Sequence, residues 1–425
     1  MKLAKNDFLK SVMILMTGTV MAQAIGYLIS PILTRIYTPE QMGDLGVYMR
    51  AISFLSALAS ARYELSLPLP KSDSHSYLLY RLSLRIALYT LAGSVLVSLI
   101  YLITKSFDLN EVLFISITLI SSFFLVFINL GTNWAIRKKQ FRKISNSRVI
   151  NSLTSNGLRW VFGLFSWGSW GLLLGTLIGY IASSLTFMKE YFSIDKTHRI
   201  SRSRKKTFAL VSEYRQFPMV SLPHVLIDLG RDLLVATLII YFFSKDIFGS
   251  YSHSYTILRL PIMVIGTSIG QVFFNRCSEM VNRGESIYQL LRRTTLLLLA
   301  VSIPAFSVIY FFGEPLFGFV FGDNWLTSGY YSEIMSFWLM TNFIASTVSS
   351  IPIILNRQKE FFILGLITTS LQLVSFGILP MTLGNSPQNF ETILWFASIS
   401  QGIILIITIF FILHYARIFK APLTT

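Results

Sequence analysis

The sequence predicts an all-α, polytopic membrane protein with about twelve transmembrane helices, each near the ~20 residues that cross a hydrocarbon core. Two observations predict this fold class. Of the 425 residues, 53% are hydrophobic and 13% are charged, a composition that excludes a string of soluble domains. The Lys and Arg residues alternate between crowded and nearly empty loops, which is typical of a multi-pass protein.

The apolar stretches place the predicted spans in order along the chain, with short connections between them. They lie near residues 11–33, 43–66, 81–104, 111–136, 149–167, 169–188, 216–243, 249–275, 294–313, 331–356, 361–382 and 391–415. A basic stretch separates the first six spans from the last six. This organisation predicts two parallel six-helix halves, residues 1–205 and 206–425.

Basic residues also predict the orientation of the chain. The even-numbered loops and both tails hold about 28 of the 36 Lys and Arg residues, whereas the odd-numbered loops hold Arg35, Lys105 and Lys245. Short basic loops stay in the cytoplasm, so both termini are predicted to be cytoplasmic. The net charge of +16 therefore indicates topology and attraction to anionic membrane lipids, not nucleic-acid binding. The only cysteine, Cys277, is predicted to lie in a cytoplasmic loop.

Several arginines lie within or at the ends of the predicted spans. Because a cation in lipid is costly, such residues mark a polar path through the membrane. Arg50, Arg231 and Arg259 are predicted to line a cationic cavity, and Arg159 ranks below them. Arg62 either joins the cavity, reaches the headgroups or pairs with Glu64.

The seventh predicted span carries His224, Asp228, Arg231 and Asp232 at i, i+4, i+7 and i+8, a spacing that puts them on one helical face. Two interpretations remain open. In the first, the carboxylates hold Arg231 in a static ion pair. In the second, the pair opens when substrate or a proton arrives, and His224 with the two aspartates couples transport to an ion.

Other spans contribute to or flank the predicted cavity. The first span carries a polar stripe in which Gln23 is expected to touch a polar ligand. In the eighth, Pro261 is predicted to loosen the helix beside Arg259. Spans three, six, eleven and twelve are nearly free of charge, so they are predicted to face lipid. The cavity is therefore assigned to spans one, two, seven and eight.

Motifs of enzyme chemistry are missing from the sequence. It contains no phosphate-binding G-x-x-x-x-G-K-[ST], no H-E-x-x-H, no Cys/His metal cluster and no G-x-S-x-G. The sequence therefore predicts a transporter rather than an enzyme, with no cofactor and no metal site.

Short motifs occur in a fixed order along the chain: PILTRIYTPEQMG at 31–43, ARYEL at 61–65, FGSY at 248–251 and VFG at 320–322. This ordered set resembles the polysaccharide flippases of the multidrug/oligosaccharidyl-lipid/polysaccharide exporter superfamily, and it spans most of the chain. The Arg231–Asp232 pair departs from the family, in which this stretch is commonly polar and uncharged.

The resemblance implies two six-helix bundles that form a V and give alternating access to the two sides of the membrane. It implies an undecaprenyl-pyrophosphate-linked oligosaccharide as cargo, flipped across the bacterial cytoplasmic (inner) membrane for O-antigen, capsule or other surface polysaccharide synthesis. Arginine binds such anions in a forked geometry. Polymerase and chain-length proteins of the same pathway are candidate partners.

Three alternatives remain open. An ion-coupled drug or small-molecule exporter of the same superfamily would favour an acidic cavity for cationic drugs, whereas arginines outnumber carboxylates in these spans. A membrane polysaccharide polymerase would need a large external loop, and the longest predicted one, residues 313–330, is short. A structural role in a polysaccharide assembly is compatible with the same sequence.

Overall fold

The structure, a computed structural model, describes residues 2–104, 108–198, 203–260, 262 and 267–419. Within these ranges the chain is helical and contains no β-strand. The helices are α1 (Lys2–Thr34), α2 (Pro39–Ser60), α3 (Asp73–Thr104), α4 (Leu109–Arg137), α5 (Phe141–Leu164), α6 (Gly168–His198), α7 (Arg204–Glu213), α8 (Leu222–Phe242), α9 (Lys245–Leu258), α10 (Thr267–Asn282), α11 (Tyr288–Phe321), α12 (Leu326–Val348), α13 (Ile351–Ile354), α14 (Gln358–Leu373), α15 (Leu379–Leu383) and α16 (Pro387–Ile418).

Seven segments of the described chain are long and apolar enough to cross a membrane: Asp73–Thr104, Leu109–Arg137, Gly168–Thr197, Tyr288–Phe321, Asp323–Ile354, Gln358–Leu383 and Pro387–Ile418. The predicted fold class, an all-α polytopic membrane protein, is confirmed. The remaining predicted spans fall on α1, α2, α5, α8 and the pair α9 and α10. Lys105 and Pro261 lie outside the described residues.

The chain divides into two compact units. The first unit contains residues 1–37 and 44–233, and the second contains residues 38–43 and 234–425. The division therefore falls inside α8 and near the beginning of α2. The proposed division into halves at residues 205 and 206 lies earlier in the chain and stays a prediction.

In the first unit, α5 and α6 form a helical hairpin that also packs against α1 and α4. The turn between them is tight, and both Ser166 and Gly168 have a φ of 57°. A hydrogen bond of 2.6 Å joins the hydroxyls of Ser147 and Ser183. Polar side chains thus connect the two helices by pairing with each other, as expected inside a helical membrane bundle.

The connection from α2 to α3 contains two consecutive left-handed residues, Ala61 with φ 47° and Arg62 with φ 60°. Arg62 then lies 3.3 Å from Glu64, whose side chain is only 2% exposed. Of the alternatives for Arg62, the ion pair with Glu64 is therefore the arrangement observed. The pair anchors a turn whose backbone conformation is unusual for residues other than glycine.

In the second unit, the beginning of α2 packs closely on α9. A Cβ atom added to Gly249 would lie 1.8 Å from the carbonyl oxygen of Pro39, and one added to Gly43 would lie 2.5 Å from that of Lys245. Any side chain at either position would displace backbone atoms. The glycines of the PILTRIYTPEQMG and FGSY motifs are thus explained by one helix contact.

The charge-free helices differ in burial. In α3 and in the segment Gln358–Leu383, only 17% of the residues in the most apolar stretch are buried. The same fraction is 61% in α6 and 50% in α16. Spans six and twelve are thus more enclosed than spans three and eleven, although α16 still exposes Ile399, Ile403 and Phe410. Their assignment to lipid stays a prediction, because a helix packed on other helices is also apolar on several sides. Cys277 lies within α10 and is fully buried, and its position in a cytoplasmic connection between spans stays a prediction.

Candidate functional site

Arg159, near the end of α5, is held by neutral side chains. Its Nε and Nη2 donate to the Thr176 hydroxyl at 3.2 and 2.6 Å, and its Nη1 donates to the Asn156 side-chain oxygen at 3.3 Å. No carboxylate of the described chain pairs with it. The Tyr37 hydroxyl donates to the carbonyl oxygen of Arg159 at 2.6 Å, which fixes the backbone behind the guanidinium.

Arg159 lines a cavity of about 480 Å³ in the first unit, between α1, α2, α5 and α6. Gln23 on α1 lines the same cavity, so the structure brings these two predicted site residues together. The complete lining is Thr19, Ala22, Gln23, Met49, Arg148, Asn151, Ser152, Ser155, Asn156, Arg159, Thr176 and Tyr180. Amide and hydroxyl groups dominate its polar surface.

Two arginines lie at opposite ends of this cavity. Arg148 precedes Arg159 by three helical turns on α5, which separates their Cα atoms by about 16 Å. Arg148 donates to the hydroxyl of Thr19. No carboxylate is among the residues that line the cavity in the described chain. The cavity therefore offers hydrogen-bond donors and positive charge to an elongated, negatively charged ligand.

The charged stripe of the seventh predicted span lies on α8. Asp232 accepts from Arg231 at 3.0 Å, and Asp228 lies 3.8 Å from the same guanidinium. His224 Nδ1 is 3.8 Å from Asp228. Asp228 and His224 are 52% and 71% exposed, so the ion pair is not sealed inside the first unit. Its solvent- or lipid-accessible face leaves both interpretations of this stripe open.

A π-helical segment, Phe217–Ser221, precedes α8 directly. The sequence analysis did not predict it, although Pro218 lies within it and Pro223 follows it in α8. Such single-turn π segments are frequent at functional sites. Because proline lacks the amide hydrogen of a regular helix, this pair of prolines is the feature from which the irregularity was predictable.

The remaining predicted site residues lie in separate settings. Arg50 on α2 donates to the carbonyl oxygen of Gly46, one turn earlier, at 3.0 Å. In the second unit, Arg259 donates to the Tyr255 hydroxyl at 3.3 Å, and its guanidinium carbon lies 5.1 Å from the centre of that ring. Its Nε has no hydrogen-bond partner. The assignment of Arg50, Arg62, Arg231 and Arg259 to one cavity stays a prediction.

Sequence reasoning missed several residues that line the cavity, among them Arg148, Thr176 and Tyr180. Arg148 was counted as part of a cytoplasmic loop, although it continues the polar stripe of Asn151, Ser155 and Arg159 towards the beginning of α5. Thr176 and Tyr180 lie on α6, a helix assigned to lipid because it lacks charge. In the described part of the chain, no group of three or more His, Cys, Asp or Glu side chains is arranged to hold a metal ion.

Comparison with known protein families shows to which family the chain belongs. The family described as polysaccharide biosynthesis protein matches residues 32–330, well over half of the sequence. The chain belongs to this polysaccharide biosynthesis family. The expected membership of a family of polysaccharide biosynthesis is thereby confirmed. A comparison with curated proteins found no match.

The fold of this chain is similar to those of solved membrane transporters. The lipid II flippase MurJ, in an inward closed conformation, matches with a TM-score of 0.67 and 16% identity, over 92% of this chain and 86% of that chain. An inward-facing multidrug resistance MATE family transporter of the MOP superfamily gives 0.61 and 14%, over 93% and 94%. A MATE transporter from Vibrio cholerae, VcmN, gives 0.52 and 13%, over 97% and 96%. At these identities the likeness concerns the fold alone.

Proposed function

We propose that this protein is a flippase for an undecaprenyl-pyrophosphate-linked oligosaccharide repeat unit, which it moves from the inner to the outer leaflet of the bacterial cytoplasmic membrane. The observation that carries the proposal is the cavity of the first unit. Arg148 and Arg159 line it, and none of the described residues that line it is a carboxylate. Membership of a polysaccharide biosynthesis family supports a glycan cargo. O-antigen, capsule or another surface polysaccharide would be the end product.

The chemistry of the cavity suits the polar part of such a cargo. A pyrophosphate carries negative charge that a guanidinium binds in a forked geometry. Low-dielectric surroundings strengthen this attraction. The side-chain amides of Gln23 and Asn151 offer donors and acceptors for sugar hydroxyls. The polyprenyl chain stays in lipid, because its transfer into water would be unfavourable.

Translocation by this route breaks no covalent bond, so the protein is proposed to be a transporter and not an enzyme. Both termini and the basic loops lie in the cytoplasm in this proposal. In this proposal the cargo site is exposed alternately to each side of the membrane. A polymerase and chain-length proteins, which use the flipped unit, are its expected partners.

The test is deletion of the gene and restoration with variants. Cells that lack the protein should accumulate complete lipid-linked repeat units facing the cytoplasm, and wild-type protein should clear them. Arg159→Gln should fail to clear them at a normal protein level. Arg276→Gln is the matched control, because this arginine is 56% exposed and pairs with Glu279 outside the cavity. Normal outer-leaflet delivery in the deletion strain would overturn the proposal.

Export of a drug or small molecule is the second candidate. The observation that favours it is the accessible carboxylate pair of α8, since Asp228 and Asp232 are 52% and 34% exposed and carboxylates attract cationic compounds. Susceptibility of the deletion strain to cationic drugs separates the two functions. A gain in susceptibility without accumulation of lipid-linked repeats would favour the exporter.

A further inference from the structure

The short helix α7 has one face fixed to the first unit. Leu210 is 4% exposed and belongs to an apolar cluster that includes Tyr63 and Tyr77. The Tyr63 hydroxyl donates to the carbonyl oxygen of Val211 at 3.4 Å. Ser203 caps the helix by accepting from the amide of Lys206 at 3.4 Å. These contacts hold α7 against the connection between α2 and α3.

The opposite face of α7 is basic and carries an aromatic ring. Arg204, Lys205 and Phe208 are exposed, and at 100° per residue they fall within about 100° of the helix circumference. The Phe208 ring is 77% exposed. Arg215, which is also exposed, follows the end of the helix. We call Arg204, Lys205, Phe208 and Arg215 the basic face of α7.

We infer that the basic face of α7 binds anionic lipid headgroups of the cytoplasmic leaflet. A single exposed phenylalanine is ordinary, but here Arg204 and Lys205 lie one turn before Phe208 on the same face of α7. Lys and Arg near an anionic bilayer are attracted to its surface, and an apolar ring beside them enters the boundary between headgroups and acyl chains. The cations of the face therefore match the anionic headgroups, and the Phe208 ring matches the apolar layer directly beneath them.

This inference depends on the cytoplasmic orientation of the loop that holds α7, and it is independent of the cargo. Its consequence is local. Because the opposite side of α7 contacts Tyr63, lipid binding would hold the helix on the turn between α2 and α3. Anionic lipid would then stabilise the segment that precedes α8.

The experiment places a fluorescent reporter on the face. In a Cys277→Ala background, Phe208→Cys is labelled with an environment-sensitive dye, and the full-length protein is reconstituted into nanodiscs. The discs contain phosphatidylcholine alone or with about one third phosphatidylglycerol. The dye should emit at shorter wavelength when phosphatidylglycerol is present, and raising the salt to about 1 M should reduce the difference.

Charge variants decide whether the basic face causes the effect. Replacing Arg204, Lys205 and Arg215 together by Gln should abolish the lipid-dependent shift. Exchanging Arg for Lys and Lys for Arg at these positions should preserve it. The matched control replaces Lys139, Arg142 and Arg283 by Gln, which removes the same charge from other exposed positions and should leave the shift intact.

Two results would overturn the inference. One is an emission wavelength that does not respond to phosphatidylglycerol. The other is a response that survives the triple Gln variant. A response that appears only when soluble cell proteins are added would also overturn it, because it would indicate a protein partner. None of these readings requires transport, so a failed flippase assay would leave the lipid result standing.

Discussion

Arg159 on α5 donates two hydrogen bonds to Thr176 on α6: its Nε and Nη2 lie 3.2 and 2.6 Å from the same hydroxyl. With the bond from Nη1 to Asn156, three of the five N–H donors of the guanidinium are used. Two remain for a ligand. The side chain is therefore oriented by neutral groups while its charge stays available.

The first prediction concerns this orientation. Thr176→Val should reduce flipping about tenfold, because a hydrogen bond to a charged group contributes ~1.5–3 kcal/mol. Thr176→Ser keeps the hydroxyl and should retain most activity. The measurement is the rate at which lipid-linked repeat units become accessible on the outer leaflet. Equal rates for the two variants would mean that Thr176 does not position Arg159.

The second prediction separates the two contacts of Arg259. Tyr255→Phe removes the hydroxyl and keeps the ring, so its effect on thermal stability should be small. Tyr255→Leu removes both and should destabilise the protein further, by ~0.5–2 kcal/mol for the lost cation–π contact and by an additional amount for the lost ring contacts with Tyr251 and Trp338. Thermal unfolding in detergent compares them. Identical unfolding temperatures would exclude a contribution from the ring.

Transport assays on Arg259 itself form a third prediction. Arg259→Ala should reduce surface polysaccharide at a normal protein level, and Arg259→Lys should restore it only in part, because lysine cannot bind an anion in a forked geometry. Quantifying polysaccharide against immunoblotted protein gives the answer. Full activity of Arg259→Ala would remove this residue from the cargo path.

The fourth prediction addresses Asp228 and Asp232. Both are partly exposed, so Asp→Asn at either position should cost no more than ~1 kcal/mol of stability, as for surface ion pairs. If they couple transport to protons, these stable variants should lose their response to the proton gradient. A large loss of stability on Asp232→Asn would contradict this expectation and favour a static pair. Transport in vesicles with and without a pH gradient, alongside thermal unfolding, distinguishes the two.

The fifth prediction concerns Cys277, which lies beyond the end of the eighth predicted span. Burial raises the pKa of its thiol to about 11, and the side chain is 0% exposed. At neutral pH the reactive thiolate is therefore scarce. Maleimide should label the folded protein very slowly and the SDS-denatured protein fully. Rapid labelling of folded protein would show that α10 opens.

An inert native cysteine makes topology measurable with added ones. Asn385→Cys should react with an impermeant reagent applied from outside the cell, whereas Lys139→Cys and Arg283→Cys should react only after permeabilisation. The opposite pattern would reverse the orientation and the proposed direction of transport.

Periodicity and charge were sufficient for the helices and for the α8 stripe, because residues at i, i+4 and i+7 share a helical face in any context. The pair Arg62–Glu64 was likewise accessible, since the two are neighbours in sequence. Such local relationships are fixed by the chain itself.

Contacts between distant helices were not accessible in the same way. Nothing in the composition of α6 distinguishes a helix surrounded by lipid from one surrounded by α4 and α5, since both environments are apolar. The pairing of Arg159 with Thr176 depends on which face of α6 meets α5. For this reason Gln23 and Arg159 were predicted as site residues, whereas the side of the cavity formed by α6 was not predicted.

The tight turn between α5 and α6 has a consequence for biosynthesis. Only Phe165, Ser166 and Trp167 separate the two helices, and none of them is charged. Carrying so short an uncharged turn across the bilayer exposes few polar groups to hydrocarbon. We expect α5 and α6 to enter the membrane together as one helical hairpin, so that this wall of the cavity is assembled before the second half of the chain has been translated.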